Sequence, residues 1–198
     1  MPTILPAISR RRSIRHFEAR PVEPELIDAM LEAARLAPSA ANLQNARILP
    51  VTDEADRAVL GRAAYSFGAV PEAPLVMLLM ADTSRDAVFL EQMAEMAKQP
   101  NPPIDFAKLR SGAGKPFSFK LGPEWGLVNA GLAGQSLMLQ AVEMGLGTCW
   151  VHHFEHDEVR EHFKIPDHFI LMSLMAIGYP ATEPHPMERT DLRWTPTK

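Results

Sequence analysis

Apolar residues recur at helical spacing between Glu23 and Ala37, with Leu26, Ile27, Met30, Leu31 and Ala34 on one face. Pro24 suits the first turn of this helix, where its missing N–H is not needed, and Pro38 ends it. A turn of small and polar residues follows, Pro38 to Asn42, and Arg47 to Val51 reads as a strand. Asp53 to Ala64 reads as a short helix capped by Thr52 or Asp53. Leu75 to Ala81 is an unbroken apolar run, the pattern of a strand buried on both faces. Ser84 to Lys98 follows as a helix. Trp125 to Met144 is the strongest helix candidate and is apolar almost all round, which predicts burial in the core or against a partner. Gly126, Ala130, Gly131, Ala133 and Gly134 make it narrow, so a close approach to another helix is expected. Gly145 and Gly147 end it, and then come a strand (Thr148 to His152), a short helix (Asp157 to Phe163) and a buried strand (Phe169 to Ile177).

Two stretches break the pattern. Residues 99–123 are punctuated by five prolines and three glycines, too long for an ordinary connector, and read as a lid-like excursion. From Pro180 to Lys198 the chain is again rich in proline, an extended tail that needs something to lean on. There are no internal repeats. The irregular alternation of strands and helices predicts an α+β fold, with residues 1–198 forming one domain.

Composition narrows the function classes. The 198 residues carry a formal net charge of −4, which argues against a general nucleic-acid binder. The sole cysteine, Cys149, rules out an intrachain disulfide and a thiolate metal cluster. The first nine residues are too short and too broken by proline for a signal peptide, and the longest apolar run falls far short of a membrane span. A cytoplasmic protein without a membrane anchor is the expectation.

Three short segments carry candidate chemistry. In Arg11-Arg12-Ser13-Ile14-Arg15, guanidinium forks and a hydroxyl suit the oxygens of a phosphate, although a solvated basic arm has the same composition. In Pro38-Ser39-Ala40-Ala41-Asn42-Leu43-Gln44, small residues let the backbone approach a flat ligand while Asn42 and Gln44 offer donors and acceptors; an ordinary helix-stop turn reads alike. The third, Gly145 to Val151, has the form of a helix cap and a core strand. The histidines at 152, 153 and 156 lack an accompanying metal motif, and Cys149 sits among apolar residues where a thiol is inert. Met77, Met80, Met93 and Met96 read as core, and no G-x-G-x-x-G follows a strand. No metal site is expected.

In their order and spacing, RRSIRHF (Arg11 to Phe17), LEAARLAPSAANLQ (Leu31 to Gln44), the long segment from Gly126 to Val151 and AIGYPA (Ala176 to Ala181) resemble the nitroreductase family. The likeness covers most of the chain and is weakest between Thr52 and Pro123. It implies a central mixed, mostly antiparallel sheet flanked by helices, in an intertwined homodimer with FMN at each of two interface sites. It further implies ping-pong hydride transfer from NADH or NADPH through the flavin to a flat small-molecule acceptor such as a nitroaromatic or a quinone. By position, Arg11, Ser13 and Arg15 would contact the flavin phosphate and ribityl chain, with Arg12 close by and Arg189 near the phosphate. Pro38, Ser39 and Asn42 would come from the partner subunit to line the ring, and the backbone around Trp150, Val151 and His152 would pass over one of its faces. The helix from Gly126 to Met144 would lie in the dimer core. No side-chain acid or base is required. The chain departs from many relatives at Asn45-Ala46, where they have Pro-Trp, and at His152-His153, where glycines are frequent. The same resemblance admits dehalogenases, azoline dehydrogenases and the flavin-destroying enzymes of cobalamin lower-ligand synthesis; a non-catalytic FMN-binding module is the alternative outside enzymes.

Overall fold

The structure is a computed structural model that describes residues 6–65, 68–102, 123–184 and 187–194. Helix α1 (Pro6–Arg10) is followed by α2 (Pro24–Arg35) and a 3-10 turn at Ala40–Asn42. Then come β1 (Ala46–Val51), α3 (Glu54–Ala63), α4 (Ala69–Glu72) and β2 (Leu75–Asp82). A second 3-10 segment (Thr83–Val88) runs into α5 (Phe89–Ala97). The chain continues with α6 (Pro123–Glu143), β3 (Gly147–Val151), α7 (His156–His162) and β4 (Phe169–Gly178). The excursion expected over 99–123 lies, between Pro102 and Pro123, outside the described residues.

The four strands pair antiparallel in the order β1-β2-β4-β3. All eight residues of β2 are buried, as an apolar run flanked by strands on both edges requires. Alternation sorts the side chains by face: Val76, Leu78 and Met80 join the core beneath α3, α4 and α7, while Leu75, Met77 and Leu79 join the core beneath α2 and α6. A register shift between Leu79 and Met80 skips Met172 on β4 and reverses that strand's parity, so that Leu171 and Leu174 face the same core. The parallel component is one isolated bridge, Ser13 to Thr148, which ties the N-terminal segment to β3.

Helix α1 opens on Pro6, at the first turn where proline is tolerated. The helix expected from Ser84 to Lys98 is split, because Asp82 Oδ1 accepts from both the backbone N–H (3.0 Å) and the hydroxyl (2.5 Å) of Ser84 and tightens the first turn. The narrow face of α6 packs on its own sheet: a Cβ at Gly134 would lie 2.3 Å from Leu79 Cδ2 and 2.6 Å from Trp150 Cη2. Around Gly134 the small residues of α6 thus meet the chain's own sheet, and α6 also packs against α2. Within the single chain Val128 and Leu132 remain 55% and 41% exposed, an apolar stripe left open to a partner. Asp53 caps α3 as expected, accepting from the Asp56 N–H at 3.0 Å.

One polar tie closes the sheet against α2. Tyr179, just beyond β4, donates its hydroxyl to Glu23 Oε2 at 2.6 Å, Arg20 donates to Oε1 of the same carboxylate at 2.5 Å, and the Arg20 guanidinium lies 3.9 Å above the Tyr179 ring. The Tyr179 hydrogen bond, followed by that of Arg20, pulls the Glu23 pKa from 4.5 to about 2. A carboxylate with a lower pKa folded than unfolded stabilises the fold above the unfolded value and stops doing so as pH falls through the folded one. Thermal midpoints measured from pH 5 to about pH 2 should therefore fall with acid, and less steeply in Tyr179→Phe; an unchanged slope would remove this carboxylate from the acid response.

Candidate functional site

The N-terminal segment is held to the sheet by its backbone. The N–H of Ile14 donates to Thr148 O at 2.9 Å, that of Glu18 to Tyr179 O at 2.9 Å, and that of Ala181 to His16 O at 3.0 Å. Ile14 seats directly on Gly147, where an added Cβ would lie 2.5 Å from its side chain. This anchoring presents Arg11, Arg12, Ser13 and Arg15 along a cleft of about 700 Å³ whose far wall carries Met187 and Arg189. Among the described residues no carboxylate pairs with Arg11, Arg15 or Arg189. Burial, and then the charges of Arg189 and Arg12, push the pKa of Arg11 down. Unpaired cations gathered beside a cleft form a site for an anion. Arg12 is used differently: its Nη1 donates to the carbonyls of Ser9 (2.8 Å) and Arg11 (2.7 Å) and braces the loop.

The other end of β3 forms a second cavity, of about 270 Å³, lined by Ala64, Tyr65, Trp150, Val151, His152 and His153. Tyr65 stacks on His153 with ring centroids 4.7 Å apart and donates its hydroxyl to Glu155. Its φ of 52° is in the left-handed region, uncommon for a bulky residue and concentrated at functional sites. The buried Trp150 Nε1 has no hydrogen-bond partner. The three histidines diverge: His153 meets Tyr65, His156 stacks on Phe154 at 4.0 Å, and His152 faces Trp150 at 6.0 Å. Among the described residues no group of three or more His, Cys, Asp or Glu could hold a metal ion. Burial raises the pKa of the Cys149 thiol.

The Pro38 to Gln44 segment stands apart. Pro38 and Ser39 line a cavity of about 300 Å³ with Ala34, Ala46, Arg47 and Asn129, none of them from the arginine cleft or from β3. The turn is unusual in having Ala41, Asn42 and Gln44 all at φ of 47–55°. Within it, Ser39 Oγ accepts from the Gln44 N–H at 3.0 Å and Asn42 Oδ1 from Gln44 Nε2 at 2.8 Å. One strand thus links the arginines to Trp150, Val151 and His152, whereas Pro38, Ser39 and Asn42 are not brought to them within the chain. His153 is the position already noted where glycines are frequent, and Tyr65 is a new neighbour in this cavity. Tyr65 gives no signal in the sequence, because its backbone conformation is set by tertiary contacts in the stretch least like the family.

A family model described as the nitroreductase family matches residues 8–179. The chain belongs to the nitroreductase family. An NADH dehydrogenase of Thermus thermophilus is 34% identical over 192 residues, covering 94% of this chain and 91% of the relative. An FMN reductase [NAD(P)H] of Bacillus subtilis is 25% identical over 183 residues, covering 91% and 67%. Among solved structures, a nitroreductase family protein of Clostridium difficile 630 superimposes with a TM-score of 0.70 at 25% identity, covering 94% of this chain and 92% of its own. The chain is accordingly an oxidoreductase with the nitroreductase fold. No helix among its described residues is long and apolar enough to cross a membrane.

Proposed function

We propose that this nitroreductase-family chain binds FMN and passes electrons from NADH or NADPH to a flat small-molecule acceptor such as a nitroaromatic or a quinone. The observation that carries this reading is the cleft of unpaired arginines. Among the described residues Arg11, Arg15 and Arg189 form no ion pair, although Glu183 also lines the cleft, and Ser13 adds a hydroxyl donor. A phosphate monoester, with roughly −1.5 to −2 charge near neutral pH, suits this donor set. Arg11, Ser13, Arg15 and Arg189 would hold the phosphate, while Arg12 keeps the loop in shape. Trp150, Val151 and His152 at the far end of β3 would support the ring, with Tyr65 and His153 beside them. Bound FMN supplies two-electron hydride chemistry, with donor and acceptor reacting in turn. The protein's contribution is to orient the cofactor and to admit flat partners. The NADH dehydrogenase and the FMN reductase named above are relatives with such activities.

The site is completed, in this reading, by a second copy of the chain. Val128 and Leu132 form an exposed apolar stripe on α6, and Met187, Leu192 and Trp194 are exposed on the tail. Apolar surface of this kind marks an interface. A two-fold contact would bring Pro38, Ser39 and Asn42 to the cofactor held by the other subunit's arginines.

The direct test is oxidation of NADH or NADPH with a quinone or nitroaromatic acceptor, before and after FMN is removed. Turnover that is lost with FMN and restored by adding it is expected. FMN binding with neither nucleotide oxidised under any acceptor would leave a binding module in place of an enzyme.

A further inference from the structure

The turn that carries Ser39 and Asn42 is strained and locally self-contained. Three non-glycine residues hold positive φ, a conformation that persists only where the surroundings impose it. Its C-terminal half is well tied down. The carbonyls of Leu43, Gln44 and Asn45 accept from Arg85 Nε (3.3 Å), Arg47 Nη1 (2.9 Å) and the Asp82 N–H (2.8 Å), and the Leu43 side chain is fully buried against Phe89 and Met93. The N-terminal half differs. From Pro38 to Asn42, among the described residues, one hydrogen bond leaves the turn: the Ala40 N–H donates to Asn129 Oδ1 on α6 at 3.1 Å.

Asn129 is 3% exposed, and its own orientation is fixed in turn. With Oδ1 accepting from Ala40, its Nδ2 donates to Asn45 Oδ1 at 2.9 Å, and among the described residues the buried Asn45 Nδ2 has no partner. The hydrogen bonds thus run in one direction through Ala40, Asn129 and Asn45.

We propose that Asn129 is a positioning residue for the cofactor site: by holding the Ala40 N–H it sets the placement of Ser39 and Asn42 against FMN, and it couples that placement to α6. This rests on the reading of Ser39 and Asn42 as flavin-facing residues. Asn129→Leu removes both hydrogen bonds at similar volume. Asn129→Asp keeps the acceptor for Ala40, and Asn45 can flip to donate its idle Nδ2 to the new carboxyl group. The amide pair thus predicts loss in one variant and rescue in the other.

The experiment follows FMN release from the purified holoprotein after dilution, by recovery of flavin fluorescence, with the visible circular dichroism of bound FMN and the thermal midpoint measured on the same samples. Asn129→Leu should release FMN about tenfold faster or more, with an altered dichroic band, as expected for an unmade buried hydrogen bond. Asn129→Asp should remain near the wild-type rate and band. If the leucine variant does not fold, Asn129→Ala takes its place. A folded Asn129→Leu or Asn129→Ala protein with wild-type release and dichroism overturns the inference, as does an aspartate variant that loses FMN to the same extent. A wild-type chain that binds no FMN overturns the underlying reading instead, before any variant is compared.

Discussion

Arg15→Ala should bind FMN about tenfold to a hundredfold more weakly than the wild type while folding normally. A hydrogen bond to a charged group contributes about 1.5–3 kcal/mol, and about 1.4 kcal/mol is a factor of ten in affinity. The reason to expect so clean a separation is what Arg15 lacks inside the chain: among the described residues it has no carboxylate partner, so its removal breaks no internal ion pair. Arg11→Ala should behave alike, since burial and the neighbouring charges of Arg189 and Arg12 already disfavour its cation in the free site. The pair together should exceed either alone. Arg12→Ala is the contrast. It loses two backbone acceptors, Ser9 O and Arg11 O, so its effect should come through the shape of the loop and be smaller. Titration of the FMN-free proteins with FMN measures each value. Wild-type affinity in a folded Arg11→Ala/Arg15→Ala protein would take the phosphate out of this cleft.

Gly134→Leu should destabilise the fold itself. Even a Cβ at this position would meet Leu79 Cδ2 at 2.3 Å and Trp150 Cη2 at 2.6 Å, and a leucine adds three more carbons in the same direction. Overpacking a core typically costs about 1–3 kcal/mol, and this site, pressed between α6 and two strands, should lie at or above the upper end. Because Trp150 is one of the atoms in the way, its fluorescence should change along with the melting temperature. Gly131→Leu is the informative partner, for no atom lies within 4 Å of its added Cβ. That variant should keep its melting temperature as an isolated chain and weaken association, since the half-buried Gly131 lies one turn from Val128 at the border of the exposed stripe. Denaturant unfolding and sedimentation on both variants separate the two effects. A stable Gly134→Leu protein with an unmoved Trp150 signal would contradict the packing described.

These two glycines show what sequence reading could and could not reach. The small residues of α6 announce a close approach, but spacing does not say whether the neighbour is a helix or a sheet; within the chain Gly134 meets Leu79 of the sheet, and α2 is the neighbouring helix. Strands were legible wherever both faces are buried, as in β2 and β4, because continuous apolar runs have few other uses. The 3-10 segment at Thr83–Val88 was hidden because it depends on a side-chain cap from Asp82 that no periodicity encodes. In the candidate site, the clustering of Arg11, Arg12 and Arg15 was plain from charge alone. Which of them are free to bind and which braces the loop required the hydrogen bonds of Arg12. The left-handed Tyr65 and the Asn129–Asn45 pair join residues distant in sequence, and no local pattern marks them.

In the proposed assembly two copies of this chain would share each FMN, with the arginines of one facing Ser39 and Asn42 of the other. Sedimentation velocity of the purified protein, followed both at the protein band and at the visible flavin band, distinguishes this from a site within one chain. Flavin absorbance should travel with a dimer, and the protein, if isolated colourless, should take up added FMN and turn yellow. Flavin absorbance sedimenting with a monomer at low micromolar concentration, or a protein that stays colourless after FMN is added, would contradict it.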